Sequence, residues 1–473
     1  MRLLIIVTIF FLAQNAVAQS RRVNPKASSN TAAATVNQTS ELTIKQMFDE
    51  ANSYNKTKFA EYELKKVAYS EKLRLQTERE QKQLAAKYAA IGSARTNLSG
   101  EDIYHIGLLH WIAENLDGTF AHLRKYLAAN PSAEKAQTSR SIIVVIAAKQ
   151  KNFEEANKIL AEYLRAVPTK LSERSRMESE IAKAYLAEKN FAKAAPHAEE
   201  AYRAAKTIVQ DAASRGGLDE TLDAGMLVFE SYKAAGKINE ADNALDEMRK
   251  TAGSIGSASF YFYAADKLIT YQIETKRKPL AMETYLTSLI DAGKVLPTKP
   301  VQNDAIQRLK KREKHYKLLN EAAPELSTID QWFPGKPQTI AGLRGKVVLL
   351  DFWATWCGPC FDAFPVLTEM HQDYARDGLV ILGLTRYYGR ADGFSVDNPN
   401  EIEFLKRFKR KNDLPYDFVV TKDQTTQRAY GATDLPTAVL IDRKGVIRYI
   451  ESGTNPTRLE EMREMLLKLL AEK

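Results

Sequence analysis

Only two cysteines occur in the 473 residues, Cys357 and Cys360. A pair that close in sequence cannot brace a large fold, so a disulfide-stapled architecture is excluded and both sulfurs are left for chemistry. Histidine is scarce as well: the chain has six, at spacings unlike a ligand pair, and two cysteines cannot complete the four-ligand set of a structural zinc site. Neither a metal nor a bound cofactor is expected. After the amino terminus no apolar run approaches the ~20 residues that a membrane-spanning helix needs. Most of the charge is not segregated by sign either. The net charge is +9, but Lys and Arg are interleaved with Glu and Asp, as in KNFEEANK and EEMREMLLK. That pattern describes a solvated helical surface, so no nucleic-acid partner is expected.

What the amino terminus does contain is an export pattern. Arg2 precedes an apolar run from Leu3 to Ala13, and the small-residue pattern Ala16-Val17-Ala18 follows. Residues 1–18 therefore read as a cleavable signal peptide, which places the mature chain in the periplasm or another extracytoplasmic space. Without cleavage the same run becomes a membrane tether. Residues 19–40, rich in Ser, Thr, Asn and Ala with no apolar periodicity, read as a flexible leader.

Residues 41–320 carry a helical pattern, shown at its start by Ile44, Met47, Phe48 and Ala51. Breaks are expected at Asp117-Gly118, Asn130-Pro131, Pro168, Gly216-Gly217, Gly236 and Pro297. Three segments look related: KNFEEANKILAEYLRAVP, KNFAKAAPHAEEAYRAAK and GKINEADNALDEMRK. Each opens with a small polar turn, then an aromatic or aliphatic residue and an alanine-rich face. Phe153, Phe191 and Ile238 mark their starts at unequal intervals, both longer than the ~34-residue period of tetratricopeptide repeats. The region thus resembles that family only loosely, best through Ala156 and Pro168. Stacked helix pairs would offer a concave face for docking a protein; a plain helical bundle fits the pattern too. The basic stretch from Arg308 to Lys317 reads either as a linker or as a closing helix.

Residues 323–473 change to an α/β pattern. Lys346 to Trp353 and Leu379 to Leu384 are apolar without alternation, as in strands buried on both faces. Pro436 to Ile441 and Val446 to Ile450 flank Asp442-Arg443-Lys444-Gly445 and read as an antiparallel hairpin. Amphipathic segments run from Pro359 to Asp377, Asn400 to Lys411 and Thr457 to Ala471, which suggests a mixed sheet with helices on both faces. The chain is therefore multidomain: an all-α repeat-like region followed by an α/β domain. The segment Tyr387 to Asn400 is longer than an ordinary connection and reads either as a shaper of substrate access or as an idle insertion.

The run KVVLLDFWATWCGPCFDAFP places the cysteines after a buried strand and at the start of a helix. Unpaired amide groups and the helix dipole favour a thiolate there, making Cys357 the nucleophile and Cys360 the shielded resolving thiol. Asp351 interrupts the apolar run. A carboxylate in a buried strand is costly unless protonated or paired, so it points to function; a solvent-facing edge is the alternative.

This run resembles the thioredoxin superfamily, and within it the exported TlpA-like thiol-disulfide oxidoreductases, whose typical run is FWATWCGPC. The resemblance covers about Ala323 to Lys473. It rests on Trp356, the Cys-Gly-Pro-Cys pair, Pro365 and Leu435-Pro436-Thr437 together. It implies a thioredoxin fold, a cis bond before Pro436, and a substrate edge lined by Trp356, Gly358, Pro359, Leu435 and Pro436. It also implies that Asp351 accepts the proton of Cys360 through water. Some TlpA-like proteins carry an acidic residue where this chain has Ala363, which leaves that proton to Asp351 alone. Cys-Gly-Pro-Cys is the pair of reducing thioredoxins, whose potential is near about −270 mV. The expected activity is reduction of a disulfide-containing protein substrate, with a membrane electron-relay protein as reductant. Net oxidation or isomerisation is the alternative direction. An interaction scaffold, with the α/β domain as recognition module, is the alternative class.

Overall fold

The computed structural model describes residues 42–211 and 216–472, so the signal peptide and leader expected over residues 1–40 lie outside the described residues. No helix among the described residues is long and apolar enough to cross a membrane. The first part comprises α1 (Ile44–Leu64), α2 (Glu71–Ser93), α3 (Gly100–Ile112), α4 (Leu116–Ala129), α5 (Ala136–Lys149), α6 (Phe153–Arg165) and α7 (Leu171–Ala187). It continues with α8 (Phe191–Gln210), α9 (Leu218–Ala234), α10 (Ile238–Ser254), α11 (Ala258–Glu274), α12 (Lys278–Val295) and α13 (Lys299–Leu318).

One turn recurs between these helices. Glu114, Lys151, Lys189, Gly236 and Lys276 have φ between 56° and 70°, and the next amide in each case reaches back to a carbonyl five residues earlier, as Asn152 N to Ala147 O at 2.8 Å. This is the hydrogen bond that closes a helix carboxyl terminus. Asn115, Asn152 and Asn190 then cap the following helix, accepting from the amides of Gly118, Glu155 and Lys193. The three related sequence segments open on this turn. It also corrects the break expected at Asp117-Gly118, because both residues lie in the first turn of α4, started by the Asn115 cap. Gly118 is there for clearance: a Cβ would fall 2.6 Å from the His110 ring. The stretch from Arg308 to Lys317 lies wholly inside α13, so it closes the helical region and is no linker.

The α/β part contains β1 (Ile329–Phe333), β2 (Val347–Phe352), α14 (Gly358–Tyr374), β3 (Leu379–Arg386), β4 (Arg390–Ala391) and β5 (Phe394–Ser395). It ends with α15 (Asn398–Lys411), β6 (Asp417–Thr421), α16 (Thr425–Tyr430), β7 (Thr437–Ile441), β8 (Ile447–Ser452) and α17 (Pro456–Ala471). Six strands form one mixed sheet in the order β1-β6-β3-β2-β7-β8, while β4 and β5 make a small ribbon within the long loop. β2 pairs parallel with β3 and antiparallel with β7, and β7 and β8 form the expected hairpin.

Alternation along β2 separates the two faces. Val347, Leu349 and Trp353 pack with Leu367 of α14, Ile402 of α15 and Leu466 of α17. Val348, Leu350 and Phe352 face a core that includes Tyr430 of α16 and continues into α11 and α13. The three amphipathic segments thus share one face. The short α16 cannot cover the other, and the helical region completes it. Between the two parts, Asn320 N donates to Ile447 O (2.8 Å) and Ala323 N to Gly445 O (2.9 Å), so the connecting residues pair along β8.

Candidate active site

β2 ends at Phe352, and a short turn leads to α14, whose amino-terminal cap is Cys357 and whose first turn contains Pro359. Proline is tolerated there because the first-turn amides lack intrahelical acceptors in any case. Cys357 and Cys360 form a disulfide. Both cysteines are buried, Cys357 at 4% exposure and Cys360 at 1%. A Cβ on Gly358 would meet nothing within 4 Å, which leaves the outer side of the turn open. Trp356, 61% exposed, stands beside it.

Asp351 shares a β2 face with Val347, Leu349 and Trp353, the face that also carries α14 and both cysteines. It sits in mid-sheet between Gly383 and Ala438 and is 2% exposed, so the edge alternative does not hold. Among the described residues its Oδ2 has no hydrogen-bond partner, and neither do the nearby Trp353 Nε1 and Tyr416 hydroxyl. Desolvation without compensation pushes the Asp351 carboxyl up to about 7. Burial raises the Tyr416 hydroxyl as well, with the Asp351 charge adding to the effect.

The Leu435–Pro436 bond is cis. Thr437, the next residue, pairs with Phe352, which sets Pro436 level with the end of β2. The turn after β8 ties this segment to the cysteine turn: Gly453 N donates to Pro436 O at 2.7 Å, and Thr454 Oγ1 to Pro359 O at 3.0 Å. Leu435 packs partly buried against both core clusters. The fold therefore gathers Cys357, Cys360, Trp356, Gly358, Pro359, Leu435 and Pro436 at one end of the sheet, with Asp351 beneath.

One residue at this site escaped the sequence reading. Glu401, 2% exposed, accepts the amides of Tyr388 and Gly389 at 2.9 Å each. Tyr388 in turn meets Trp356 edge-on with ring centroids 5.4 Å apart, and the Arg386 guanidinium lies 4.1 Å from the Tyr388 ring centre. The long loop is thus fastened to the cysteine turn. A carboxylate beside a helix start is also an ordinary capping signal, so nothing in the sequence singled Glu401 out.

The chain is similar to known proteins over this part. Residues 319–466 match the Redoxin family. Thiol-disulfide oxidoreductase ResA of Geobacillus thermodenitrificans is 31% identical over 144 residues, covering 30% of this chain and 74% of the relative. ResA of Bacillus thuringiensis subsp. konkukian is 31% identical over 144 residues, covering 30% and 75%. Among solved structures, a thioredoxin-family thiol:disulfide interchange protein from Chlorobium tepidum is similar at 20% identity, covering 32% of this chain and 97% of its own, with a TM-score of 0.27. With its cysteine pair on a thioredoxin fold and its likeness to ResA, the chain belongs to the TlpA-like thiol-disulfide oxidoreductases of the thioredoxin superfamily.

Proposed function

We propose that the protein is exported and reduces disulfides in other proteins by mixed-disulfide exchange. The supporting observation is the meeting of the Cys357–Cys360 pair, cis Pro436 and buried Asp351 at one end of the sheet. In the reduced protein Cys357 is a thiolate, favoured by the unpaired amides and dipole at the start of α14. It attacks one sulfur of the substrate disulfide, that S–S bond breaks, and one substrate thiolate leaves. Cys360 gives its proton to Asp351, and its thiolate attacks the Cys357 sulfur and displaces the second substrate thiolate. Two electrons pass to the substrate, and the Cys357–Cys360 disulfide remains. A carboxyl titrating near neutrality suits that transfer in both directions.

Trp356, Gly358, Pro359, Leu435 and Pro436 form the edge that receives the substrate chain; Pro436 has no N–H of its own to satisfy there. A membrane electron-relay protein returns two electrons after each cycle. In this reading residues 1–18 are removed as a signal peptide, 19–40 are a leader, 41–320 form a helical docking unit and 323–473 the exchange domain. The test is insulin reduction by dithiothreitol with the mature chain in catalytic amount. Acceleration is expected, and none with both cysteines intact refutes the reading. Equilibration with glutathione tests direction: a potential near about −270 mV supports reduction, and one near about −120 mV reverses it.

A further inference from the structure

Helix α13 reaches the site through its side chains. Lys311 Nζ lies 3.2 Å from Asp434 Oδ2. Arg312 donates to Ile450 O at 2.9 Å and to Glu451 at 2.7 Å, both on β8, and to Asp266 of α11 at 2.9 Å. His315 binds on two sides. The guanidinium of Arg312 can only donate, so His315 Nδ1 accepts from it at 2.8 Å, and the ring proton sits on Nε2, which donates to Gly431 O at 2.9 Å. Burial and the neighbouring Arg312 push the imidazole down to about 4, so it stays neutral near pH 7 in this tautomer.

The contact at Gly431 is close. This residue has φ +69°, and a Cβ there would come within 2.9 Å of both His315 and Lys314. Glycine is required twice over, by the backbone and by the helix pressed against it. Gly431 and Asp434, both held by α13, lie just before the cis Leu435–Pro436 bond. On the other side β8, gripped by Arg312, leads to Gly453 and Thr454, which bond Pro436 and Pro359. The helical region therefore holds residues 431–434 and β8, the two segments that lead to Pro436 and to the contact with Pro359.

We propose that His315 and Lys311 are positioning residues through which α13 sets residues 431–436 against the cysteine turn, so that the helical region governs how well a substrate polypeptide fits that edge. The inference rests on the reading that the Pro436 edge receives substrate.

Steady-state insulin reduction by the full mature chain tests it. His315→Ala is expected to raise KM about tenfold while kcat changes less than about twofold, the signature of lost substrate positioning. His315→Gln, whose amide nitrogen can reproduce the donor to Gly431, should recover most of that loss. Lys311→Ala breaks an exposed pair that folding does not depend on and should raise KM about two- to threefold. An unchanged KM in both alanine variants overturns the proposal, as does a fall in kcat alone or an equal defect in His315→Ala and His315→Gln. Wild-type protein that fails to reduce insulin refutes the exchange reading by itself, before any variant is compared.

Discussion

Replacing Asp351 by asparagine keeps the side-chain volume and removes the charge, so it isolates what a carboxyl costs in the middle of this sheet. Its folded pKa of about 7 stands about 3 units above the ~3.9 of an unfolded chain, and each unit corresponds to ~1.4 kcal/mol. Between about pH 4 and about pH 7 the unfolded chain has released this proton while the folded chain still holds it. The stability that Asp351 contributes is therefore fully present below about pH 4 and is lost as pH rises through about 7, a total of about 4 kcal/mol. Among the described residues nothing donates to Oδ2, so no hydrogen bond offsets the loss. The assay is urea unfolding of the oxidised wild type and Asp351→Asn across that range, followed by tryptophan fluorescence. The variant should gain on the wild type by ~1.4 kcal/mol per pH unit. The buried amide of asparagine carries its own cost, but this does not depend on pH and shifts only the offset. A difference that stays flat with pH would refute the assignment of a buried, uncompensated carboxyl.

Three further outcomes are expected. Asp351→Asn should slow insulin reduction near pH 7 by about 10²-fold or more and flatten its pH profile around 7, because Cys360 loses its proton acceptor; an unchanged profile would remove Asp351 from the exchange. Arg312→Ala should cost about 2–3 kcal/mol in urea unfolding, since it removes the buried guanidinium shared by the part-buried carboxylates of Asp266 and Glu451 and leaves Glu451 only its longer pair with Arg458 at 3.8 Å; a loss below about 1 kcal/mol would show that the pair is solvated. Glu401→Ala should orphan the amides of Tyr388 and Gly389, at about 1–3 kcal/mol each. Hydrogen exchange at those two amides should accelerate, and unchanged protection would contradict the claim that Glu401 fastens the loop.

Much of the candidate site was legible because its signals are local. The run from Val347 to Phe352 is apolar on both faces, Pro359 marks a first helical turn, and Asp351 stands out as a charge where none belongs. The turn from Asp442 to Gly445 likewise announced the β7–β8 hairpin. What escaped was decided by distant partners. β1 and β6, IDQWF and DFVVT, are short and partly polar, and they become strands by pairing with each other and with β3. Arg312 looked like one more surface cation in QRLKKREKHYK, yet its carboxylate partners are 46 and 139 residues away. The side of the sheet on which each helix lies was equally hidden, because amphipathicity specifies a buried stripe but not the surface that buries it. The Gly118 misreading has the same root: its need for glycine comes from the His110 ring of the preceding helix.

The most direct test of the exchange chemistry is to stop it halfway. Full-length Cys360→Ala, reduced and then mixed with a disulfide-bonded protein, should accumulate a covalent adduct on nonreducing gels that mass spectrometry maps to Cys357 and that dithiothreitol releases. Absence of any adduct, or an adduct that instead forms at Cys360 in Cys357→Ala, would contradict the assignment of Cys357 as the attacking sulfur.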